Sequence, residues 1–311
     1  MHVIFGTGAA GLATFDALRR RGATVRLVNR SGRAPVPDGV EVVGGDAGDA
    51  RFAVEAARGA RVLYQALNPP YHRWATEFPA LQAGVLAAAE AAGARLVSFE
   101  NVYMYGRGDS RPFTENSPDA AQTRKGLVRA AMARDLLAAH EAGRVPVVIA
   151  RASDYFGPRG GAQSNLGDRV FGPALRGGTA RVLGDPDQPH TYTYLPDIGE
   201  SLAVLGEHPD ATGEVWHLPN DPRTRTTREL VEIVYRLAGQ RRARVSGTPT
   251  WLLRILGLVD PGARETVEMM YEFTEPFVVD SGRIADKLGL HATPVEEALE
   301  RTLAGYRTAS S

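Results

Sequence analysis

The chain has no cysteine and no excess of charge of either sign. Its 311 residues include 36 lysines and arginines and 36 aspartates and glutamates. The absence of cysteine excludes disulfides, thiolate metal sites and thiol nucleophiles. The charge balance argues against a nucleic-acid partner, because such proteins usually carry a basic excess or a basic stripe.

Long apolar runs are also missing. The most apolar stretch late in the chain, from Trp251 to Val259, is short and interrupted by Arg254, whereas a membrane-spanning helix needs about 20 apolar residues. Residues 2–5 already have the pattern of a strand, so we expect no signal peptide. From these features we expect a cytoplasmic protein with no membrane partner.

The first half of the chain alternates short apolar segments with helical ones. We predict strands at 2–5, 24–29, 40–44, 61–67, 94–100 and 145–151, and helices near 9–21, 49–58, 73–92 and 124–142. This rhythm is typical of an α/β protein with a doubly wound parallel sheet. Beyond residue 152 we predict strand pieces near 181–183 and 191–194 and helices near 197–206, 227–238, 263–272 and 294–306.

A glycine-rich turn joins the first predicted strand to the first helix. Its sequence is Gly6-Thr7-Gly8-Ala9-Ala10-Gly11, a G-x-G-x-x-G pattern in the strand–turn–helix context of a dinucleotide-binding site. Gly6 makes the tight turn, Gly8 lets the backbone approach a pyrophosphate, and Gly11 lets helix and strand pack closely. We therefore predict that all six residues bind a dinucleotide.

The end of the second strand indicates which dinucleotide is bound. An NAD site usually has a carboxylate there for the ribose 2′-hydroxyl, but this chain has Asn29, Arg30, Ser31 and Arg33. Arginine and serine can bind a 2′-phosphate instead, so we expect NADP(H) rather than NAD(H). The alternative is a solvated basic turn. We predict a Rossmann domain over 1–152 and a smaller C-terminal substrate lobe over 153–311, interwoven with the last strands of the sheet.

Further motifs resemble the extended short-chain dehydrogenase/reductase family, which includes nucleotide-sugar epimerases and dehydratases. They are Gly44–Asp49, Tyr105-Gly106, Thr114-Glu115, Arg151–Pro158 and His190–Gly199. The resemblance implies that Asp46 and Ala47 contact the adenine. It also implies a homodimer through the helices near 75–92 and 124–142, the first of which offers Leu81, Val85 and Leu86.

The catalytic motif of that family is not retained. The family uses Tyr-x-x-x-Lys with a serine or threonine, whereas Asn101 stands at the serine position and no tyrosine occurs between Pro118 and Arg134. In one alignment Lys125 and Arg129 occupy the Tyr and Lys positions, and Arg129 would then hold the cofactor ribose. In the other, Lys125 is the family's lysine and Ala121 replaces the tyrosine.

Three residues are candidates for the missing acid/base function. Reduction of a carbonyl builds negative charge on oxygen, which must be stabilised or protonated. Asn101 can donate a hydrogen bond, and Lys125 or Tyr103 can donate a proton. The alternatives are a helix-surface lysine for Lys125 and a core aromatic for Tyr103.

The segment after the fourth strand is predicted to line the pocket. Ligands bind at the carboxyl ends of strands in open α/β sheets, so Ala66, Leu67 and Asn68 are expected to contact the cofactor. Beyond Pro69-Pro70, we predict that the substrate is bound by Tyr71, His72 and Trp74, and in the second half of the chain by Tyr155 and His190. The alternatives are a rigid loop with Trp74 as core anchor and a structural His190. No spacing of metal ligands is found.

Together these features predict an NADP(H)-dependent oxidoreductase or epimerase acting at a carbonyl or alcohol carbon of a small molecule. Its acid/base centre would be atypical. Two alternatives remain because the catalytic tyrosine is absent: a non-redox lyase, cyclase or isomerase on the same fold, and a regulator that senses NADP(H) without turnover.

Overall fold

The computed structural model describes residues 1–108 and 111–309. The strands are β1 His2–Phe5, β2 Val25–Asn29, β3 Glu41–Gly44, β4 Val62–Gln65, β5 Arg95–Glu100, β6 Val147–Arg151, β7 Asp154–Phe156, β8 Ala180–Leu183, β9 Tyr192–Tyr194, β10 Val215–His217 and β11 Val245–Thr248. The α-helices are α1 Ala9–Arg20, α2 Ala50–Ala56, α3 Trp74–Ala92, α4 Arg124–Glu141, α5 Asp168–Arg176, α6 Leu195–Glu207, α7 Thr227–Leu237, α8 Thr250–Leu256, α9 Pro261–Thr266, α10 Tyr271–Thr274, α11 Gly282–Leu288 and α12 Val295–Ala309. Within this part of the chain, no helix has the length and apolarity needed to span a membrane.

The chain forms two compact units. Unit 1 comprises residues 1–104, 124–151 and 198–218, and unit 2 comprises 105–123, 152–197 and 219–311. The division into 1–152 and 153–311 stays a prediction.

Unit 1 contains a seven-stranded sheet in the order β10-β6-β5-β4-β1-β2-β3. All its strand pairs are parallel, which confirms the predicted α/β class with a doubly wound parallel sheet. The chain runs from β1 outward to β2 and β3, and then returns to the other side of β1 for β4. This reversal places the carboxyl ends of β1 and β4 beside each other, where open sheets of this kind bind ligands.

The core of unit 1 lies between this sheet and its helices. Strand residues such as Val3, Phe5 and Leu63 and helix residues such as Val85 and Leu136 are fully buried in one cluster. β1 and β6 are buried along their whole length, which explains why their sequences are continuous apolar runs rather than alternating ones.

Unit 2 has two small parallel strand pairs, β8 with β11 and β7 with β9. One buried apolar cluster of unit 2 packs residues of α5, α7 and α12 around Phe171, Val231 and Leu299. The single helix predicted near 263–272 is wrong, because α9 and α10 are separated by a 3-10 turn at Val267–Met269. Residues 269–273 are all buried, so the segment has no polar face of the kind that a continuous surface helix would present.

Candidate functional site

The three glycines of the β1–α1 turn have different surroundings. A Cβ atom on Gly6, whose φ is 105°, would lie 2.4 Å from the carbonyl oxygen of Ala66, and one on Gly11 would lie 2.0 Å from that of Gly6. A Cβ on Gly8 would meet nothing within 4 Å. Gly6 and Gly11 are therefore required by packing, whereas Gly8 faces open space at the first turn of α1. A dinucleotide pyrophosphate binds at such a helix terminus.

Asn29 at the end of β2 ties the next loop to this turn. Its Nδ2 donates to Thr7 Oγ1 at 2.7 Å and to the Arg33 carbonyl at 2.8 Å. Its Oδ1 accepts from the backbone N–H groups of Ser31 at 3.0 Å and Gly32 at 2.8 Å. The Asn29 amide thus uses its hydrogen bonds to hold the loop in place. The side chains of Arg30, Ser31 and Arg33 in that loop are exposed.

The remaining predicted cofactor residues follow the neighbouring strands. Asp46, after β3, is exposed and accepts from Gly48 N–H at 2.9 Å, while Ala47 is buried. Ala66 and Leu67, after β4, are partly buried, and Asn68 is exposed. The residues after β1, β2, β3 and β4 thus all lie at one edge of the sheet in unit 1.

Aromatic rings and two cations form a cluster where α3 and α4 begin; we call it the aromatic–cation cluster. Its members are Tyr71, Trp74, Phe78, Tyr103, Lys125 and Arg129. The hydroxyls of Tyr71 and Tyr103 are hydrogen-bonded to each other. Trp74 stacks on Tyr103 with ring centroids 5.7 Å apart and meets Tyr71 edge-on at 4.8 Å.

Both cations of the cluster lie over ring faces. Lys125 Nζ is 4.8 Å from the Tyr71 ring centroid, and the Arg129 guanidinium is 4.7 Å from that of Phe78 and 5.3 Å from that of Trp74. Lys125 is only 2% exposed, so it is not a surface lysine. Burial lowers the pKa of Arg129, while the negative face of each ring attracts the cation above it.

Asn101 and Tyr103 lie together after β5. Asn101 Oδ1 accepts from Tyr103 N–H at 3.3 Å and so fixes the start of the short 3-10 turn Tyr103–Tyr105. Both side chains are partly exposed, whereas Trp74 is buried and donates from its indole N–H to the Pro69 carbonyl at 3.0 Å. His72 is exposed and stands outside the aromatic–cation cluster.

A buried ion pair at the carboxyl ends of β5 and β6 was missed by the sequence analysis. Glu100 and Arg151 are cross-strand neighbours, and Arg151 Nε lies 3.4 Å from Glu100 Oε2. The Glu100 carboxylate also stabilises the charge of Arg129. A charged residue at the end of each of two apolar strands was the available signal.

Unit 2 holds a second group of buried polar residues around His190, which we call the histidine–acid cluster. His190 Nδ1 donates to the Glu272 carbonyl at 2.9 Å, and Nε2 lies 2.7 Å from Asp154 Oδ2. The imidazole stacks on Phe273 at 5.1 Å. Burial, and then the nearby Asp154, raise the pKa of the Glu272 carboxyl well above its usual range. Asp154 and Glu272 were not predicted; the signal for Glu272 was an acid between Tyr271 and Phe273, in a mostly apolar segment.

His190 also lines a cavity of about 500 Å³ within unit 2. Phe156, Tyr192, Asn220 and Arg225 contribute to the same wall. This volume is in the range of small-molecule sites.

Tyr155, which was predicted to bind substrate, donates a hydrogen bond from its hydroxyl to Gln163 Oε1 at 3.2 Å. No group of three metal-ligating side chains is present among the described residues of either unit.

Comparisons with known proteins agree with the fold. A dTDP-glucose 4,6-dehydratase of Xanthomonas campestris pv. campestris is 25% identical over 208 residues, which are 65% of this chain and 54% of the relative. The match therefore spans about half the length of that protein.

Two solved structures resemble the whole chain. A dTDP-glucose 4,6-dehydratase from Bacillus anthracis in complex with NAD has a TM-score of 0.80 and 16% identity, with 99% of this chain and 97% of that chain covered. A UDP-glucose 4-epimerase from Thermotoga maritima with UDP-glucose has a TM-score of 0.80 and 17% identity, with both chains covered completely. At these identities the likeness concerns the fold.

The sequence itself matches a family model over residues 3–218, which include the glycine turn, the aromatic–cation cluster and every strand of the main sheet. The family resemblance found in the motifs is thereby confirmed. The loss of the Tyr-x-x-x-Lys motif stays a prediction from the sequence. The chain belongs to the NAD dependent epimerase/dehydratase family.

Proposed function

We propose that this protein binds NADP(H) at the carboxyl edge of the sheet in unit 1 and acts as an oxidoreductase or epimerase on a carbonyl or alcohol carbon of a small molecule. The observation that carries the proposal is the glycine turn. The protein's own backbone occupies the space beside Gly6 and Gly11, whereas the space beside Gly8 is open. That opening lies at the N-terminus of a 12-residue helix, which favours a phosphate.

The proposed cofactor contacts follow the edge from strand to strand. The pyrophosphate is held by Gly6, Thr7, Gly8, Ala9, Ala10 and Gly11. The 2′-phosphate is held by Arg30, Ser31 and Arg33 in the loop that Asn29 shapes. The adenine lies against Asp46 and Ala47, and the nicotinamide half against Ala66, Leu67 and Asn68.

The proposed preference for NADP(H) rests on residues of this chain, whereas the Bacillus anthracis structure is a complex with NAD. Asn29 supports it because a neutral amide replaces the carboxylate that would repel a 2′-phosphate. Both the oxygen and the nitrogen of that amide are already hydrogen-bonded within the loop, so Arg30 and Arg33 remain to bind the phosphate by charge-assisted hydrogen bonds.

The aromatic–cation cluster is the proposed acid/base centre. When bound, NADP(H) supplies or accepts the hydride. Tyr103 delivers a proton to the substrate oxygen and regains one from Tyr71 through the hydrogen bond that joins their hydroxyls. Solvent then returns a proton to the phenol pair, since both side chains are partly exposed. Lys125, over the Tyr71 ring, stabilises negative charge on the phenol pair, and Asn101 donates a hydrogen bond to the same substrate oxygen.

One of the two alignments places Lys125 at the position of the family's tyrosine and so gives it a different role. It would then protonate the substrate oxygen itself, and Arg129 would hold the ribose. The geometry favours Tyr103, because Arg129 packs against the rings of Trp74 and Phe78 and is 6% exposed. A ribose ligand needs an accessible guanidinium.

The cofactor proposal is tested by calorimetric titration with NADPH and NADH. We expect tighter binding of NADPH than of NADH. Arg30→Ala should narrow the difference between the two binding free energies by about 1.5–3 kcal/mol, which is the contribution of a hydrogen bond to a charged group. Arg51→Ala, an exposed arginine on α2, is the matched control and should change neither affinity. Equal affinities, or a preference for NADH, would contradict the NADP(H) assignment.

Turnover is tested separately with NADPH and a panel of aldehydes, ketones and nucleotide sugars. Nucleotide sugars are included because the Thermotoga relative was solved with UDP-glucose. Consumption of NADPH, or a redox-neutral isomerisation, supports the enzyme. Tight cofactor binding without any reaction would favour the non-redox or regulatory alternatives.

We also propose a homodimer through α3 and α4. Val85 lies in the core of unit 1 and is fully buried, so it is not available to a partner. Leu81 and Leu86 are only partly buried, and Leu127 on α4 is 55% exposed. Light scattering that shows only monomer at micromolar concentration would contradict the dimer.

A further inference from the structure

The cavity of about 500 Å³ that His190 borders is built from distant parts of the chain. Its wall is formed mainly by residues 190–192 at the start of β9, by the loop 219–225 after β10, and by parts of 278–295, which include α11. All of its lining residues belong to unit 2, so we call it the unit 2 cavity. A water molecule occupies about 30 Å³ in the liquid, and the space is therefore large enough for an organic molecule.

The buried part of the wall is apolar. None of the five side chains that form most of it is more than 9% exposed: Phe156, Tyr192, Leu230, Val279 and Val295. The hydroxyl of Tyr192 is already hydrogen-bonded to Asn165 Nδ2 at 2.9 Å and to Thr227 Oγ1 at 3.0 Å. The ring of Tyr192 therefore adds to the apolar surface, and a ligand that fills this space gains by burying apolar area of its own.

Polar side chains of the wall are bonded to one another. Thr193 Oγ1 donates to Asn220 Oδ1 at 2.6 Å, and Ser281 Oγ accepts from Asn220 N–H at 3.0 Å. Thr191 Oγ1 accepts from Val279 N–H at 3.0 Å. These bonds join β9, the loop after β10 and the segment before α11, so the wall is held in place before a ligand enters, which lowers the entropic cost of binding.

Two buried donors of lining residues are left over. Within the part of the chain that the structure describes, Asn220 Nδ2 and Arg225 Nε have no hydrogen-bond acceptor. Asp221 Oδ2 lies 3.6 Å from Arg225 Nε, which is too far for a hydrogen bond. A buried donor without a partner is costly, and an oxygen atom on a ligand would remove that cost. The polar atom of the ligand is therefore an acceptor.

The formal charges of the lining cancel when its histidines are counted as neutral. The charged lining residues are Arg223 and Arg225 against Asp221 and Asp280. His190 in the same wall lies 2.7 Å from the Asp154 carboxylate, which adds a further negative group nearby. A diphosphate would have to leave water for a site without net positive charge, and this is unfavourable. The lining thus favours an uncharged ligand.

We propose that the unit 2 cavity binds an uncharged, largely apolar small molecule that carries an acceptor oxygen, such as an aromatic or alicyclic ketone or alcohol, and that it does not bind a nucleotide diphosphate. The Thermotoga relative was solved with UDP-glucose, so this chain would differ from it in ligand. The proposal goes beyond the proposed function, because a substrate and a regulatory ligand share this chemistry.

The experiment measures binding to the full chain without cofactor. The probe is 6-propionyl-2-(dimethylamino)naphthalene, an uncharged aromatic ketone whose fluorescence shifts to shorter wavelength in apolar surroundings. We expect saturable binding of this probe and its displacement by 2-acetylnaphthalene. 2-Ethylnaphthalene has nearly the same shape but no oxygen, and should displace the probe about 2- to 10-fold less well, which is the effect of one hydrogen bond. UDP-glucose should not displace it.

Two variants and a matched control locate the bound probe. Ala285→Phe, at a partly exposed lining residue on α11, fills the cavity and should weaken probe binding by about tenfold or more. Asn220→Asp keeps an acceptor for Thr193 but replaces the Nδ2 donor, and should reduce the preference for 2-acetylnaphthalene. Ala304→Phe makes the same change as the first variant at an exposed position of α12 and should bind as the wild type does. Circular dichroism checks that each variant is folded.

Three results would overturn the proposal. These are the absence of saturable probe binding, an Ala285→Phe variant that is folded and binds like the wild type, and displacement of the probe by UDP-glucose at lower concentration than by 2-acetylnaphthalene. Addition of NADPH to the ketone complex then separates the two sources of ligand. Consumption of NADPH identifies a substrate, and binding without consumption identifies a regulatory ligand. The binding result holds in either case, so it is independent of the proposed function.

Discussion

The two units bury charge in opposite ways. In unit 1 the aromatic–cation cluster covers Lys125 and Arg129 with ring faces, and in unit 2 the histidine–acid cluster surrounds His190 with Asp154 and Glu272. A ring face attracts a cation without removing its charge, whereas a carboxyl in an apolar site avoids the cost of burial by holding its proton. The first arrangement keeps a charge available beside two partly exposed phenols. The second holds the Glu272 carboxyl neutral and stacks the imidazole on Phe273.

The strongest test of this contrast is Lys125→Met in unit 1. If Lys125 is the proton donor, turnover should fall by about 10²–10⁴ while cofactor affinity stays close to normal. If Lys125 holds the ribose, affinity for NADPH should fall as well. If it only assists the Tyr71–Tyr103 pair, Tyr103→Phe should have the larger effect on turnover.

The control for this test is Arg124→Met, which removes the exposed cation next to Lys125 on the same helix. It should leave turnover and affinity unchanged. If Lys125→Met also alters neither quantity, then the aromatic–cation cluster is a packing arrangement and both alignments of the missing tyrosine are wrong.

The matching test in unit 2 is His190→Phe, which keeps an aromatic ring but removes both hydrogen bonds. We expect a loss of about 1–3 kcal/mol in the free energy of unfolding, because the Glu272 carbonyl and the partly buried Asp154 carboxylate each lose a hydrogen-bond partner. Adding Asp154→Asn should restore part of the loss, since the carboxyl then no longer needs the imidazole. Denaturant unfolding measures all three variants, and additive effects would show that the two side chains are not coupled.

The last test concerns Glu272, whose effect on stability is absent at acidic pH and grows as the pH rises. Its folded pKa is raised, so folding is penalised as the pH rises above the unfolded value of about 4.3, because only the unfolded chain releases the proton. Glu272→Gln removes that penalty. The variant should match the wild type below about pH 4 and gain on it by at most about 1.4 kcal/mol per pH unit above, until the folded pKa is reached.

Glu232→Gln, an exposed glutamate on α7, serves as the control and should follow the wild type across the whole range. Thermal unfolding at several pH values provides the comparison. A Glu272 variant with no growing advantage between pH 4 and neutrality would show that this carboxyl is ionised in the folded protein.

Most strands of the main sheet could be predicted because each one is marked by its own local sequence. β1, β2 and β4–β6 are apolar runs bounded by turn residues, and the glycine turn marks where β1 becomes α1. β10 could not be predicted, because Val215-Trp216-His217 is a three-residue segment that becomes a strand by pairing with β6. β7 is equally short and depends on β9.

The sequence identified individual residues of the site but not the contacts between them. Tyr71, Tyr103 and Lys125 were each singled out from the sequence, yet nothing in it shows that the two hydroxyls meet or that Lys125 lies over a ring. Those contacts join the turn before α3, helix α4 and the segment after β5, which are distant in sequence. The role assigned to each site residue stays a prediction until the variants are measured.

The position of β10 has a consequence for synthesis of the chain. β6 is apolar and fully buried, and its outer neighbour is β10. Residues 152 to 214 must be translated in between, which takes roughly 3–13 seconds at about 5–20 residues per second. During that interval the edge of β6 has no native partner, and such an edge invites pairing with other chains. A ribosome-associated chaperone that binds Val-Val-Ile-Ala-Arg while β10 is still being made would protect the nascent protein from aggregation.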